Sequence, residues 1–194
     1  FIGGGDKTIF INAFLSLGFM LRTNTCGELT AKDISKIAML AGWCHSRRDH
    51  GGVIFIDLRD RYGLTQIVLD PSHNKKVHGL GEHIGREWVV IAKGKVRHRP
   101  KDMVNPKLKT GEVEVLVDEL SIITKAAVPP IEIDDGIEAS EDMRMKYKYL
   151  DLRRPMMQQR LMVRHKAAIA VREYFNKNGF VEIETPLLVR STPE

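Results

Sequence analysis

From Ile37 onward, hydrophobic and polar positions follow one another in a way that predicts strands in series. Residues 37–49 run apolar and then basic. In residues 53–59, Ile54, Ile56 and Leu58 share one face, while Val53, Phe55, Asp57 and Arg59 share the other, the period of a half-buried strand. The glycine pair Gly51-Gly52 between these two segments predicts a tight turn. Residues 64–70 predict a third strand after a turn at Tyr62-Gly63, and residues 88–99 a fourth. A fifth falls at residues 112–124, where Val113, Val115 and Val117 oppose Glu112 and Glu114. Between the third and fourth, residues 72–85 lose the alternation and can hold a short helix.

Five strands with a helix between the third and fourth is the order of an OB-fold barrel, which takes ligands on its strand 2–3 face and adjoining loops. The pattern then changes. Pro129-Pro130 breaks regular structure, because proline removes a donor and restricts the residue before it. Residues 132–142 carry six acids and no base, and read as part of a linker or hinge. Residues 143–152 look helical, and Arg153-Arg154-Pro155 interrupts them. From Met156 a long amphipathic helix is predicted, with Leu161, Ala168, Val171 and Phe175 at helical spacing and Asn178-Gly179 as its stop. Residues 180–185 predict a strand that Pro186 ends. The expected class is α+β: a barrel over residues 20–125, a linker or hinge over 126–155, and the truncated start of a second domain over 156–194. One helix and one strand cannot enclose a core of their own.

Residues 1–19 stand apart. Their apolar stretch is shorter than the ~20 residues that span a bilayer, and it lacks the arginine-rich amphipathic character of a transit peptide. We read it as a leader or a non-native extension ahead of a start at Met20. No membrane association is expected.

Composition adds less than pattern. A net charge of +5 is mildly basic, which alone points only weakly to nucleic acid. The two cysteines, Cys26 and Cys44, fit neither a zinc pattern nor a disulfide framework. They suit a reducing compartment such as the cytoplasm, and no metal site is expected.

The candidate chemistry lies at the first turn. Arg47 and Arg48 flank it, and Phe55 sits among polar residues on a strand face. Cations can meet phosphates or base edges, and a flat ring can stack on an unpaired base. By alternation alone, Phe55 could also be a barrel-core aromatic, Arg48 a turn cation and Gln66 a plain strand residue. Lys93, Lys95, Arg97 and Arg99 alternate and therefore predict one basic face. Such a run is either a solvated surface or a phosphate contact.

Several motifs occur in a telling order: Gly42-Trp43, Arg47-Arg48-Asp49, Phe55-Ile56-Asp57-Leu58-Arg59-Asp60, Tyr149-Leu150-Asp151-Leu152-Arg153-Arg154-Pro155, and Gly179-Phe180-Val181-Glu182-Ile183-Glu184-Thr185-Pro186. Together they resemble the start of a bacterial-type aspartyl-tRNA synthetase of class II, over nearly the whole chain from Met20. The resemblance implies an anticodon-binding barrel followed by the start of an antiparallel α/β catalytic domain. It implies that Arg48, Phe55 and Gln66 meet the anticodon, with Phe55 stacking and the other two bonding base edges. Arg97, Arg99 and Asn105 match further anticodon-loop contacts. The helix, strand and Pro186 resemble the class II motif that builds a homodimer interface, and Glu194 matches a loop residue that holds the amino group of the aspartate substrate. His50 matches a seventh anticodon-binding position, one that in this family goes with charging of tRNA(Asn) besides tRNA(Asp). Lys101-Asp102 departs from the glycine often found in such enzymes near the Arg99-Pro100 turn.

The family's reaction uses ATP and Mg2+, held by two further motifs that this sequence does not contain, and no catalytic residue is assigned here. The parent protein is expected to ligate aspartate to tRNA, and the 194 residues alone to bind tRNA weakly without aminoacylating it. An asparaginyl- or lysyl-tRNA synthetase, or a stand-alone OB module for single-stranded nucleic acid, are the competing readings.

Overall fold

The computed structural model describes residues 21–136 and 139–188. The expected strand and dimer proline thus lie within it, while residues 1–19 and Glu194 lie outside the described residues. The chain divides between Pro129 and Pro130 into two compact units.

The first unit is a closed five-stranded barrel in the order β1-β2-β3-β5-β4. Its elements are β1 (Ile37–His50), β2 (Val53–Arg59), β3 (Leu64–Leu69), a helix α1 (Lys75–Gly81), β4 (Val89–His98) and β5 (Val113–Thr124). Alternation decides what goes inside. Ile54, Ile56 and Leu58 of β2 are fully buried, as are Val113, Val115 and Val117 of β5. Each such side chain contributes about 1.5–3 kcal/mol by leaving water. β3 and β5 run parallel, with Ile67 opposite Val115 and Val68 opposite Leu116, and this pairing closes the barrel.

Local signals set the joints. Gly51 and Gly52 take φ values of 62° and 79°, the double positive φ that a two-residue hairpin turn requires. Asp49 Oδ1 accepts from the Gly52 amide at 3.1 Å and fastens that turn. Asn74 caps α1 by accepting from the amides of Lys76 and Val77. At the β2–β3 turn, Asp60 accepts from Arg22 Nη1 and from the amides of Cys26, Tyr62 and Gly63. Trp88 Nε1 donates to Ala126 O at 3.0 Å, so the chain leaving β5 stays against the barrel.

The second unit holds α2 (Glu141–Lys146), α3 (Lys148–Asp151) and α4 (Pro155–Lys177). A small core of Ile131, Ile133 and Leu150 gathers Ala139, Met143 and Tyr147 around it. Asp151 accepts from Arg144 Nε at 3.0 Å and Arg154 Nη1 at 3.4 Å. Asp135 Oδ2 accepts from the Met156 amide at 2.8 Å, capping α4 behind its leading proline. Gly179, at φ +80°, follows the helix end as its stop signal predicts.

One expectation fails here. Residues 180–185 form no strand. A strand exists only through bonds to a neighbour, and among the described residues nothing pairs with this segment. The apolar stripe of α4 is uncovered among the described residues: Leu161, Val171 and Phe175 are exposed, and no residue of α4 is buried.

Candidate nucleic-acid interface

One pocket of about 550 Å³ opens on the first unit, lined by Arg48, Asp49, His50, Phe55, Asp57, Gln66, Arg99, Met103 and Asn105. Six of the seven residues expected to touch an anticodon line it, and Arg97, the seventh, bonds to the carboxylate beneath.

β2 presents Phe55 on its outer face, half-buried and outside the barrel core. The core-aromatic alternative is therefore not what the structure contains. Phe55 pairs with Arg48 across β1 and with Val68 across β3. Asp57, two residues on, accepts from Ser46 Oγ at 2.6 Å and Arg48 Nη2 at 2.9 Å. Arg48, whose side chain is mostly exposed, is thereby given a direction. His50 stands at the exposed tip of β1 beside the glycine turn.

Gln66 on β3 is almost fully buried, and its Nε2 donates to Glu114 Oε2 at 2.9 Å. Glu114 is completely buried and also accepts from Arg97 Nε at 2.8 Å. A buried carboxylate of this kind persists only when donors surround it.

Arg99 departs from the sequence reading. It lies beyond β4 and is 6% exposed rather than standing in a basic row. Its Nε donates to Val113 O at 3.0 Å, and its Nη2 is buried without a hydrogen-bond partner. Burial pulls its pKa below the ordinary guanidinium value, against the opposing charges of Asp57 and Glu114. The rest of the expected row also breaks up: Lys93 pairs with Glu119 and Arg97 with Glu114, while Lys95 is exposed. Acids on β5 directly opposite these bases are the cause.

Asn105 belongs to the β4–β5 connection. Its amide donates to Gly111 O, and its Oδ1 accepts from the Lys107 amide. A Cβ on Gly111 would lie 1.8 Å from Asn105 O, so only glycine fits there. Thr110 Oγ1 donates to Leu64 O and ties the same loop to β3.

Sequence reasoning missed Asp57, Glu114 and Met103. Glu114 was legible as a strand position, but its burial comes from Gln66 and Arg97 closing over it, which no local pattern encodes. Among the described residues, no group of three or more His, Cys, Asp or Glu could hold a metal ion. No helix there is long and apolar enough to cross a membrane.

Comparison with known proteins agrees with this geometry. Residues 38–123 match the family described as OB-fold nucleic acid binding domain, and residues 140–194 match tRNA synthetases class II (D, K and N). The chain thus carries an anticodon-type OB domain followed by class II synthetase sequence. A protein of Desulfosudis oleivorans named Aspartate--tRNA(Asp/Asn) ligase is 52% identical over 179 residues, covering 92% of this chain and 30% of that protein. One of the same name from Desulfatibacillum aliphaticivorans is 51% identical, with the same coverage. The asparaginyl-tRNA synthetase from Pyrococcus horikoshii, solved with asparaginyl-adenylate, superposes with a TM-score of 0.75 at 27% identity, over 88% of this chain and 38% of that one. Over 92% of its length the chain is therefore similar to the start of class II aspartate–tRNA ligases. It spans about 30% of the length of the curated relatives it matches.

Proposed function

We propose that the first unit binds the anticodon loop of tRNA(Asp), as part of a protein that ligates aspartate to tRNA with ATP and Mg2+ in the cytoplasm. The observation that carries this reading is Arg99: a buried guanidinium with an unpartnered Nη2, lining the same pocket as the half-buried ring of Phe55. A buried unpaired donor is costly, and a base or phosphate oxygen would satisfy it. Phe55 supplies the stacking surface, Arg48 and Gln66 the edge contacts, and Arg97 and Asn105 the flanking ones. An unpaired base is read in this way, by stacking together with bonds to its exposed edge.

His50 at the pocket rim favours tRNA(Asn) as a second substrate, in line with the Asp/Asn names of the two relatives. The exposed apolar residues of α4 favour a homodimer, with Pro186, itself exposed, at the interface. Glu194 keeps its proposed role toward the aspartate amino group. The described residues offer no cluster for a metal, and no step of the ligation is assigned to this chain. Residues 20–125 would act as the anticodon domain, 126–155 as the hinge and 156–194 as catalytic-domain sequence.

The test is binding of the 194-residue chain to anticodon stem-loops of aspartate, asparagine and lysine tRNAs. Preference for the aspartate loop supports the reading. Equal aspartate and asparagine binding supports the broader substrate range. Equal binding of all three overturns the assignment in favour of a generic single-strand binder.

A further inference from the structure

Glu114 has no exposure, yet it is not in the apolar core. It alternates with Val113 and Val115, which point inward, so its carboxylate lies on the outer side of β5 beneath the pocket. Its two oxygens are divided: Oε2 accepts from Gln66 Nε2 and Oε1 from Arg97 Nε. Such a carboxylate can only accept. The carboxamide of Gln66 therefore cannot turn over, because the reverse orientation would set oxygen against oxygen.

We propose that Glu114 is a positioning residue that fixes the Gln66 carboxamide with its nitrogen inward and its oxygen toward the pocket, so that the pocket demands a base edge offering an N–H at this point. The inference rests on the nucleic-acid reading of the pocket. Gln66 lines the pocket, and no group among the described residues donates to its Oε1. Arg48 and Arg99 can only donate. Without Glu114 the Gln66 carboxamide could present either its N–H or its oxygen, and bases offering a carbonyl or an N–H there would be hard to tell apart. With Glu114, the Gln66 oxygen stands at a defined place beside the donors of Arg48 and Arg99. Arg97 serves the same lock by sharing the carboxylate, which keeps the buried charge compensated.

Two measurements test this on the whole chain. The first needs no RNA. In wild-type protein, one of the two Gln66 Nε2 proton NMR signals should be shifted downfield and protected from solvent exchange by the carboxylate. In Glu114→Gln, a nearly isosteric change, that shift and protection should vanish, since the new side chain can bond either end of Gln66. Gln66 signals in the wild type with ordinary free-glutamine shifts and no protection would overturn the proposal, whatever the variant does.

The second measurement uses the aspartate anticodon stem-loop, with each loop uracil or guanine methylated in turn on its Watson–Crick N–H nitrogen. At one position, methylation should weaken wild-type binding about tenfold, the scale of one well-placed hydrogen bond. In Glu114→Gln the same methylation should matter about threefold or less. A merely structural glutamate would lower all affinities together and leave that ratio unchanged, which would overturn the proposal. Failure of every hairpin to bind would sink the anticodon reading instead, and the amide signals would still decide whether Glu114 orients Gln66.

Discussion

Asp57 lies opposite Ser46 in the β1–β2 ladder and reaches diagonally to Arg48, its Oδ2 taking the Arg48 Nη2 at 2.9 Å. The same oxygen accepts from Ser46 Oγ at 2.6 Å. The serine keeps the carboxylate in place, and the carboxylate gives a long, exposed side chain one direction. An arginine ordered in advance loses less freedom when it binds. Asp57→Ala should therefore cost about 1 kcal/mol of hairpin affinity, although it removes a negative charge from a site for a polyanion. Affinity that rises in this variant, measured by fluorescence anisotropy at fixed salt, would show that only charge matters.

Phe55→Ala should lose roughly 1–3 kcal/mol of hairpin affinity, the range for a base stacked on an aromatic ring. The ring sits outside the core cluster, so thermal stability should change much less. Phe55→Trp should keep most of the binding. A large drop in melting temperature without a loss of affinity would place Phe55 among packing residues.

Gly111→Ala drives a Cβ against the Asn105 carbonyl, a backbone atom that cannot swing aside. Overpacking of this sort costs about 1–3 kcal/mol. The connection carrying Asn105 and Met103 should shift, so hairpin affinity should fall together with the melting temperature. Unchanged melting would mean that the loop adapts freely.

The second unit should respond to acid. The Arg144 side chain, with Arg154 behind it, holds the Asp151 carboxyl below its ordinary value. A carboxylate lowered on folding stabilises the folded state above its unfolded pKa, ordinarily about 3.9. That stability is lost as pH falls through the lower folded pKa. Asp151→Asn should be less stable than wild type near neutrality and should narrow the gap as the solution is taken below about pH 4. A constant difference between the two melting curves from pH 7 to pH 3 would count against the ion pair.

Cys26 and Cys44 are free and buried, and burial pushes their thiols up to about 12 and about 11. The thiolate is the reactive form. Neither should take up iodoacetamide at pH 8 in the native protein, and both should do so in denaturant. Rapid native labelling would mean that the barrel opens locally around them.

The barrel was readable because its strands alternate strictly: Ile54, Ile56 and Leu58 went inside as the period-2 pattern required. Gly51-Gly52 and Asn178-Gly179 were equally direct, since each marks a backbone conformation that glycine favours. What pattern could not supply was partnership across strands. The basic row from Lys93 to Arg99 looked uniform along the chain, yet Glu119 and Glu114 answer two of its members from β5. Glu114 itself read as an outward polar position and turned out to be wholly buried. Residues 180–185 had strand composition, but composition supplies no neighbour to bond with. The pocket residues came from motif resemblance, whereas the acids that hold them came only from three-dimensional geometry.

The parallel join of β3 to β5 has a consequence for solubility. In a sheet that meets itself every strand has a neighbour on both sides, so no strand stands as a full open edge to recruit another molecule. Stacking of barrel on barrel by strand addition is thereby disfavoured for the first unit.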